Sequence, residues 1–164
     1  MVSALWDVVA AVPDPELPVV TIAELGILRS VSVVDGRATV EITPTYSGCP
    51  ALSAIEADIG QVLAEAGYAD AEVRIVLAPA WTTDAITDAG RRKLVDYGIA
   101  PPGPAVSPGS TVSSGSTVSL ALTVRCPQCG SPDTRESSRF GSTPCKALWV
   151  CRACREPFDH LKAL

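Results

Sequence analysis

LGILRSVSVVDGRATVEITP, residues 25–44, decides the fold of the first hundred residues. Two strand-like runs flank Asp35-Gly36, a pair suited to the tight turn of a β-hairpin because both residues tolerate positive φ. After the turn, Ala38, Val40 and Ile42 alternate with polar neighbours, the period of a strand with one buried face. The following stretch, PTYSGCPALSAI (44–55), changes that period. Leu52, Ile55, Ile59, Val62 and Leu63 predict one face of a helix from Pro50 to about Ala66, with Pro50 at its first position and Gly67 as its C-cap. Upstream, Leu5, Val8, Val9 and Val12 predict a helix stopped by Pro13 and Pro15. Downstream, Val73, Ile75 and Leu77 predict a third strand, and a last helix runs from about Thr83 to Tyr97, ending at Gly98. The order α-β-β-α-β-α is that of an α+β domain with helices packed on a small sheet.

Residues 101–119, PPGPAVSPGSTVSSGSTVS, hold 13 Pro, Gly or Ser among 19 and read as a linker. They divide an N-terminal domain, 1–100, from a cysteine-rich β domain, 120–164. The net charge of −5 is unevenly spread: residues 1–119 carry −8 and residues 120–164 carry +3. Four thiolates around one divalent ion would bring the tail close to neutral, which weakens any electrostatic case for nucleic acid. No apolar run approaches the ~20 residues that cross a bilayer. MVSALWDVVAAV lacks a basic stretch before its apolar part, which argues against a secretory signal and for the cytoplasm. In that compartment six cysteines point to metal ligands or reactive thiols rather than disulfides.

Cys126 with Cys129, and Cys151 with Cys154, form two Cys-x-x-Cys pairs separated by 21 residues. Two such knuckles close a four-sulfur tetrahedron, and the ion then stabilises a segment of ~40 residues with little core of its own. The pattern predicts a structural zinc ribbon. An iron–sulfur cluster also uses four thiolates, but two short knuckles on a small β-ribbon favour Zn2+. Cys145 is left over, either as a buried ribbon residue or as a spare thiol near the metal beside Lys146. His160 reads as a surface residue, Trp6 and Trp149 as core, and Trp81 as core by default.

Cys49 lies directly before Pro50, at or beside the predicted helix start. Helix-end amides and the helix dipole would favour a thiolate there; on position alone, though, the commoner reading of a free cysteine is a buried space-filler. Asp14-Pro15-Glu16-Leu17-Pro18 is read as an extended acidic loop. It would either help a metal site or simply stop the first helix. With His160 alone in the tail, no Cys/His protease pair is supported.

DPELPVVTIAELGI (14–27), ITPTYSGCPA (42–51) and LAPAWTTDAITDAGRRKLVDYGIAPP (77–102) closely resemble the D subunits of the bacterial phenylacetyl-CoA 1,2-epoxidase system. CPQCGS (126–131), RFGSTPCKAL (139–148) and CRACREPF (151–158) match the same family, so the resemblance spans nearly the whole chain. The first hundred residues also resemble the wider domain family of iron–sulfur cluster maturation factors. The resemblance maps that family's functional cysteine onto Cys49 and its acidic motif onto Asp14 and Glu16. It places Thr43, Thr45 and Ser47 in the polar loop before the cysteine. The ribbon ligands map onto Cys126, Cys129, Cys151 and Cys154, with Cys145 inside a matching segment.

The system so resembled pairs a di-iron oxygenase with a flavin and iron–sulfur reductase and epoxidises the aromatic ring of phenylacetyl-CoA. This chain has neither paired Glu-x-x-His motifs nor a Gly-x-Gly-x-x-Gly turn, so it carries neither the oxygen chemistry nor the hydride chemistry. The resemblance implies a non-catalytic accessory protein that delivers a transient iron or iron–sulfur cluster to the oxygenase or reductase component. A stoichiometric structural subunit of the oxygenase is the alternative, and a zinc-ribbon nucleic-acid adaptor a remote one. No membrane partner is expected, and the sequence leaves open whether the domain forms a homodimer.

Overall fold

The computed structural model describes residues 2–45, 50–103 and 124–162. Cys49 and most of the predicted linker lie outside the described residues. Two compact units divide the chain between Lys93 and Leu94.

In the first unit the hairpin forms as its sequence dictates. Strand β1 (Leu28–Val34) runs antiparallel to β2 (Arg37–Ile42), with Val34 opposite Arg37. Asp35 and Gly36 both take positive φ, 50° and 77°, the two-residue turn that follows the strands' right-handed twist. Ala38, Val40 and Ile42 are fully buried. Helix α2 (Leu52–Glu65) then carries the chain to β3 (Glu72–Ile75), which lies parallel to β2; a parallel neighbour requires such a crossover. Ile55, Ile59 and Leu63 form the buried face of α2. Its end closes in a Schellman motif, Gly67 N–H to Ala64 O and Tyr68 N–H to Leu63 O. The helix begins two residues after Pro50, with Ala51 as N-cap.

Helix α1 (Val2–Ala10) contacts β1 and α2. Leu5, Val9 and Val12 point inward, whereas Val8 and Trp6 are exposed, so Trp6 is not the core residue its size suggested. The i, i+4, i+7 stripe leaves both on the flank. Strand β3 stops at Ile75, leaving Leu77 beyond it and exposed. The predicted last helix is also broken. One 3-10 turn, Thr83–Ala85, precedes α3 (Asp88–Asp96), because Ile86 adopts extended geometry (ψ 122°) to bury its side chain. Thr87 restarts the helix, its hydroxyl accepting from Gly90 N–H at 3.1 Å.

Thr21 and Glu24 form a reciprocal capping box at the turn that leads into β1. Burial raises the Glu24 pKa, but Lys93 Nζ at 2.7 Å and the Thr21 donors outweigh it and leave the carboxyl below its ordinary value. A lowered carboxyl pKa stabilises the fold above the unfolded value of 4.5, and that contribution fades as pH falls through the folded value. Glu24→Gln keeps the cap but not the charge. Since Lys93 is half exposed, the variant should lose about 0.5–1 kcal/mol at pH 7. In denaturant titrations the difference from the parent should shrink as pH falls below 4.5.

In the second unit β5 (Thr134–Ser138), β6 (Lys146–Cys151) and β7 (Pro157–Leu161) form an antiparallel ribbon. A two-residue strand, β4 (Ile99–Ala100), adds parallel to β7, giving the order β4-β7-β6-β5. One buried cluster joins Ala100, Val124, Cys126, Cys151 and Phe158, with Trp149 and Cys154 against it, and Ile99, Cys145, Ala147 and Leu161 are also buried. The mixed α/β architecture with two sheets agrees with the fold class expected from the sequence.

Candidate functional sites

The four ribbon cysteines converge. Their Sγ atoms all lie within 4.8 Å of one another, with Cys126 to Cys154 at 3.7 Å and Cys129 to Cys151 at 3.6 Å. A tetrahedron with arms of about 2.3 Å has edges of about 3.8 Å, so the sulfurs fit one four-coordinate ion. Each close pair joins one knuckle to the other. Cys126 and Cys151 face the core, while Cys129 is exposed.

The two knuckles are built alike. Cys126 N–H donates to Ser131 O and Cys151 N–H to Glu156 O, both at 3.0 Å. Four residues after each leading cysteine the backbone turns left-handed, at Gly130 (φ 73°) and at Arg155 (φ 67°). Glycine takes that conformation freely, whereas a residue with a Cβ loses about 1–2 kcal/mol. Arg155→Gly should therefore gain about 0.5–1 kcal/mol in ribbon stability, after the extra chain entropy of glycine. Thermal unfolding of the metal-bound chain measures it; a lower melting point would contradict the knuckle geometry.

Amide donors tune the sulfurs. The Cys154 N–H, 3.5 Å from Cys151 Sγ, is the main cause of a Cys151 pKa lowered to about 7. At Cys154 the Glu156 amide favours the thiolate, but desolvation and the neighbouring sulfurs push its pKa up to about 12. Without a cation four such sulfurs cannot all ionise; a divalent ion removes that conflict.

Cys145 is not part of this group among the described residues. It is buried just before β6, its Sγ 3.1 Å from Thr143 Oγ1. Cys151 ends the same strand, about 20 Å away at 3.3 Å per residue. Of its two expected roles, a buried ribbon residue is the one the geometry gives. His160 is not a free surface residue either. It is half-buried on β7, edge-on to Trp149 with ring centres 5.5 Å apart. Burial lowers its pKa to about 4, which keeps it neutral at pH 7.

The second candidate set lies in the first unit, at the end of β2. Thr43 is buried, and Thr45 is half-buried at the last described position before Cys49. A bulge at Arg29 shifts the β1–β2 register between Leu28 and Ser30. Bulges re-aim side chains, and here the guanidinium donates through Nε to Thr43 Oγ1 at 2.9 Å and through Nη2 to Pro79 O at 3.2 Å. Sequence reading missed Arg29, since no period marks an extra residue in a strand.

The acidic loop is not the extended segment expected. Asp14 is buried, and its Oδ1 accepts the Glu16 and Leu17 amides at 2.9 and 2.8 Å. Asp14 N–H bonds Val20 O, folding the loop back so that Leu17 and Val20 enter the core. Glu16 is half-buried. Trp81 is core, with its indole N–H on Leu25 O at 2.8 Å.

Comparison with known proteins agrees with this two-part layout. The iron–sulfur cluster assembly protein family matches residues 3–75, and the PaaD zinc beta ribbon domain matches residues 110–162. An Escherichia coli K12 protein, provisionally named as the D subunit of 1,2-phenylacetyl-CoA epoxidase, is 40% identical over 99% of this chain and 93% of its own length. A Staphylococcus aureus protein, the Fe-S protein maturation auxiliary factor SufT, is 44% identical over 43% of this chain and 82% of its own. The crystal structure of a DUF59 domain from Bacillus anthracis superposes with a TM-score of 0.52 at 29% identity. It covers 57% of this chain and 90% of that one.

Proposed function

This chain belongs to the family of 1,2-phenylacetyl-CoA epoxidase D subunits, and from that membership we propose that it is a non-catalytic accessory protein of the ring-epoxidising oxygenase. Its task is to assist iron or iron–sulfur cluster assembly in the oxygenase or its reductase. The observation that carries this reading is the pairing, in one chain, of an iron–sulfur assembly domain with a four-cysteine ribbon.

In this reading the two thiol sites divide the work. Zn2+ is the resident ion of the ribbon, held by Cys126, Cys129, Cys151 and Cys154; it is redox-inert and supplies folding energy, not chemistry. Cys49 is the transient ligand for the cargo. Its thiolate bonds to iron as one donor ligand leaves, and that bond breaks as a client ligand takes over, with no change of oxidation state. Asp14 holds the acidic loop through its two amide bonds, and Glu16 supplies carboxylate charge beside the cargo. Thr43 and Thr45 shape the loop that presents Cys49, with Arg29 anchoring its first residue.

A second reading, a stoichiometric structural component of the oxygenase, draws on the Escherichia coli relative being named as part of the epoxidase. Co-production with the other components tests the first. With Cys49→Ser, client iron content and turnover should fall to the level seen without this chain, while circular dichroism stays unchanged. Full maturation by that variant would remove Cys49 from the account.

A further inference from the structure

The chain has two phenylalanines. Phe158 is buried beside the ribbon cysteines, whereas Phe140, at the tip of the β5–β6 hairpin, is 80% exposed. A ring left in water forgoes favourable burial, and neither core packing nor the metal site accounts for its place.

Hydrogen bonds tie the tip together. Ser138 Oγ accepts from Phe140 N–H at 3.1 Å and donates to Phe140 O at 2.9 Å. Gly141 N–H donates to Lys146 O at 2.9 Å, closing the loop. Lys162 Nζ donates to Arg139 O at 3.2 Å and lies 5.9 Å from the centre of the Phe140 ring. The Arg139 side chain is 88% exposed, with Glu136 3.8 Å away.

Aromatic rings and arginines dominate the binding energy of protein interfaces, most of all when the free surface is already in its bound shape. Arg139, partly offset by Glu136, and Lys162 leave the ring in net positive surroundings, which an acidic rim on the receiving surface complements. A nucleic-acid surface would need further stacking rings along a basic groove, and the tip offers one ring.

We propose that Arg139 and Phe140, with Lys162, form a docking knob for a protein that presents an apolar pocket rimmed by carboxylates. This rests on the accessory function above, in which that protein is an oxygenase or reductase component. The knob recognises the client, and Cys49 acts on it.

The test uses the full chain and the purified oxygenase and reductase components, with binding followed by calorimetry. Phe140→Ala should weaken the complex about 30-fold or more with an unchanged melting temperature. Arg139→Gln combined with Lys162→Gln should weaken it and remove its salt dependence. Cys49→Ser should bind like the parent chain. If Phe140→Ala binds as tightly as the parent, or matures the client fully where Cys49→Ser does not, the knob is wrong and the accessory function stands. If the parent chain binds neither component, but binds phosphatidylserine vesicles or an oligonucleotide through Phe140, the protein partner and the accessory function both fall.

Discussion

Stripping the metal with a chelator, or replacing Cys151 by serine, should unfold the ribbon and leave the hairpin domain folded. Among the described residues the only apolar side chains the ribbon buries are Val124, Cys126, Cys145, Ala147, Cys151, Phe158 and Leu161, with Ile99 and Ala100 added from β4, and two of these are ligands themselves. A core of that size does not offset the ordering entropy of some forty residues. Metal binding to four thiolates contributes on the order of 10 kcal/mol in such small domains, so its loss exceeds any stability the ribbon has alone. Serine at position 151 would remove a sulfur whose thiolate the Cys154 amide favours and leave a buried hydroxyl in place of a ligand. The expected readout is loss of the near-ultraviolet signal of Trp149, which packs edge-on to His160. Amides of β1–β3 should keep their hydrogen-exchange protection. A ribbon that stays protected after chelation would show that its strands hold without the ion.

Gly26→Ala should be the most damaging single substitution in the first unit outside its apolar core, at about 3 kcal/mol. Gly26 has φ 71°, where a Cβ costs about 1–2 kcal/mol. That Cβ would also sit 2.5 Å from Ala85 O and 2.6 Å from Ala85 Cβ, an overlap costing about another 1–3 kcal/mol. Both sides of the contact are pinned. Trp81 bonds Leu25 O, and Thr87 N–H bonds Glu24 O at 2.9 Å. Gly36→Ala is the control: its φ of 77° is similar, but nothing lies within 4 Å of the added atom. Denaturant titration should separate the two by about 2 kcal/mol. Equal losses would mean that the contact with Ala85 yields easily.

These two sites also mark what the amino-acid sequence discloses. Asp35-Gly36 and the paired Cys-x-x-Cys motifs are short-range devices, in which a few adjacent residues impose one geometry. The hairpin and the four converging sulfurs were therefore legible from spacing. Long-range outcomes were not. Asp14 was read as part of an extended acidic loop, because its two amide bonds exist only once Leu17 and Val20 are drawn into the core. The run from Thr83 to Tyr97 has helical composition, but burying Ile86 outweighs one turn of helix. Ile99–Ala100 joins a sheet whose other strands lie far along the chain, a pairing without any local period. Arg155 adopts a glycine-like conformation because the metal knuckle demands it, so residue type gives no hint. The Cys49 site differs in kind. Its expected place at the helix N-cap did not carry over, since α2 starts at Leu52 with Ala51 as N-cap; its chemistry came from resemblance, and Cys49 lies outside the described residues.

The central claim is that this chain acts before turnover rather than during it. The most direct test is to produce the oxygenase and reductase components together with the chain, remove the chain by its affinity tag, and assay phenylacetyl-CoA turnover. Activity that persists without the chain, and that never develops when the components are produced without it, is the result expected of an assembly factor. Activity that vanishes on removal and returns on adding the chain back would contradict that claim and make it a working part of the oxygenase.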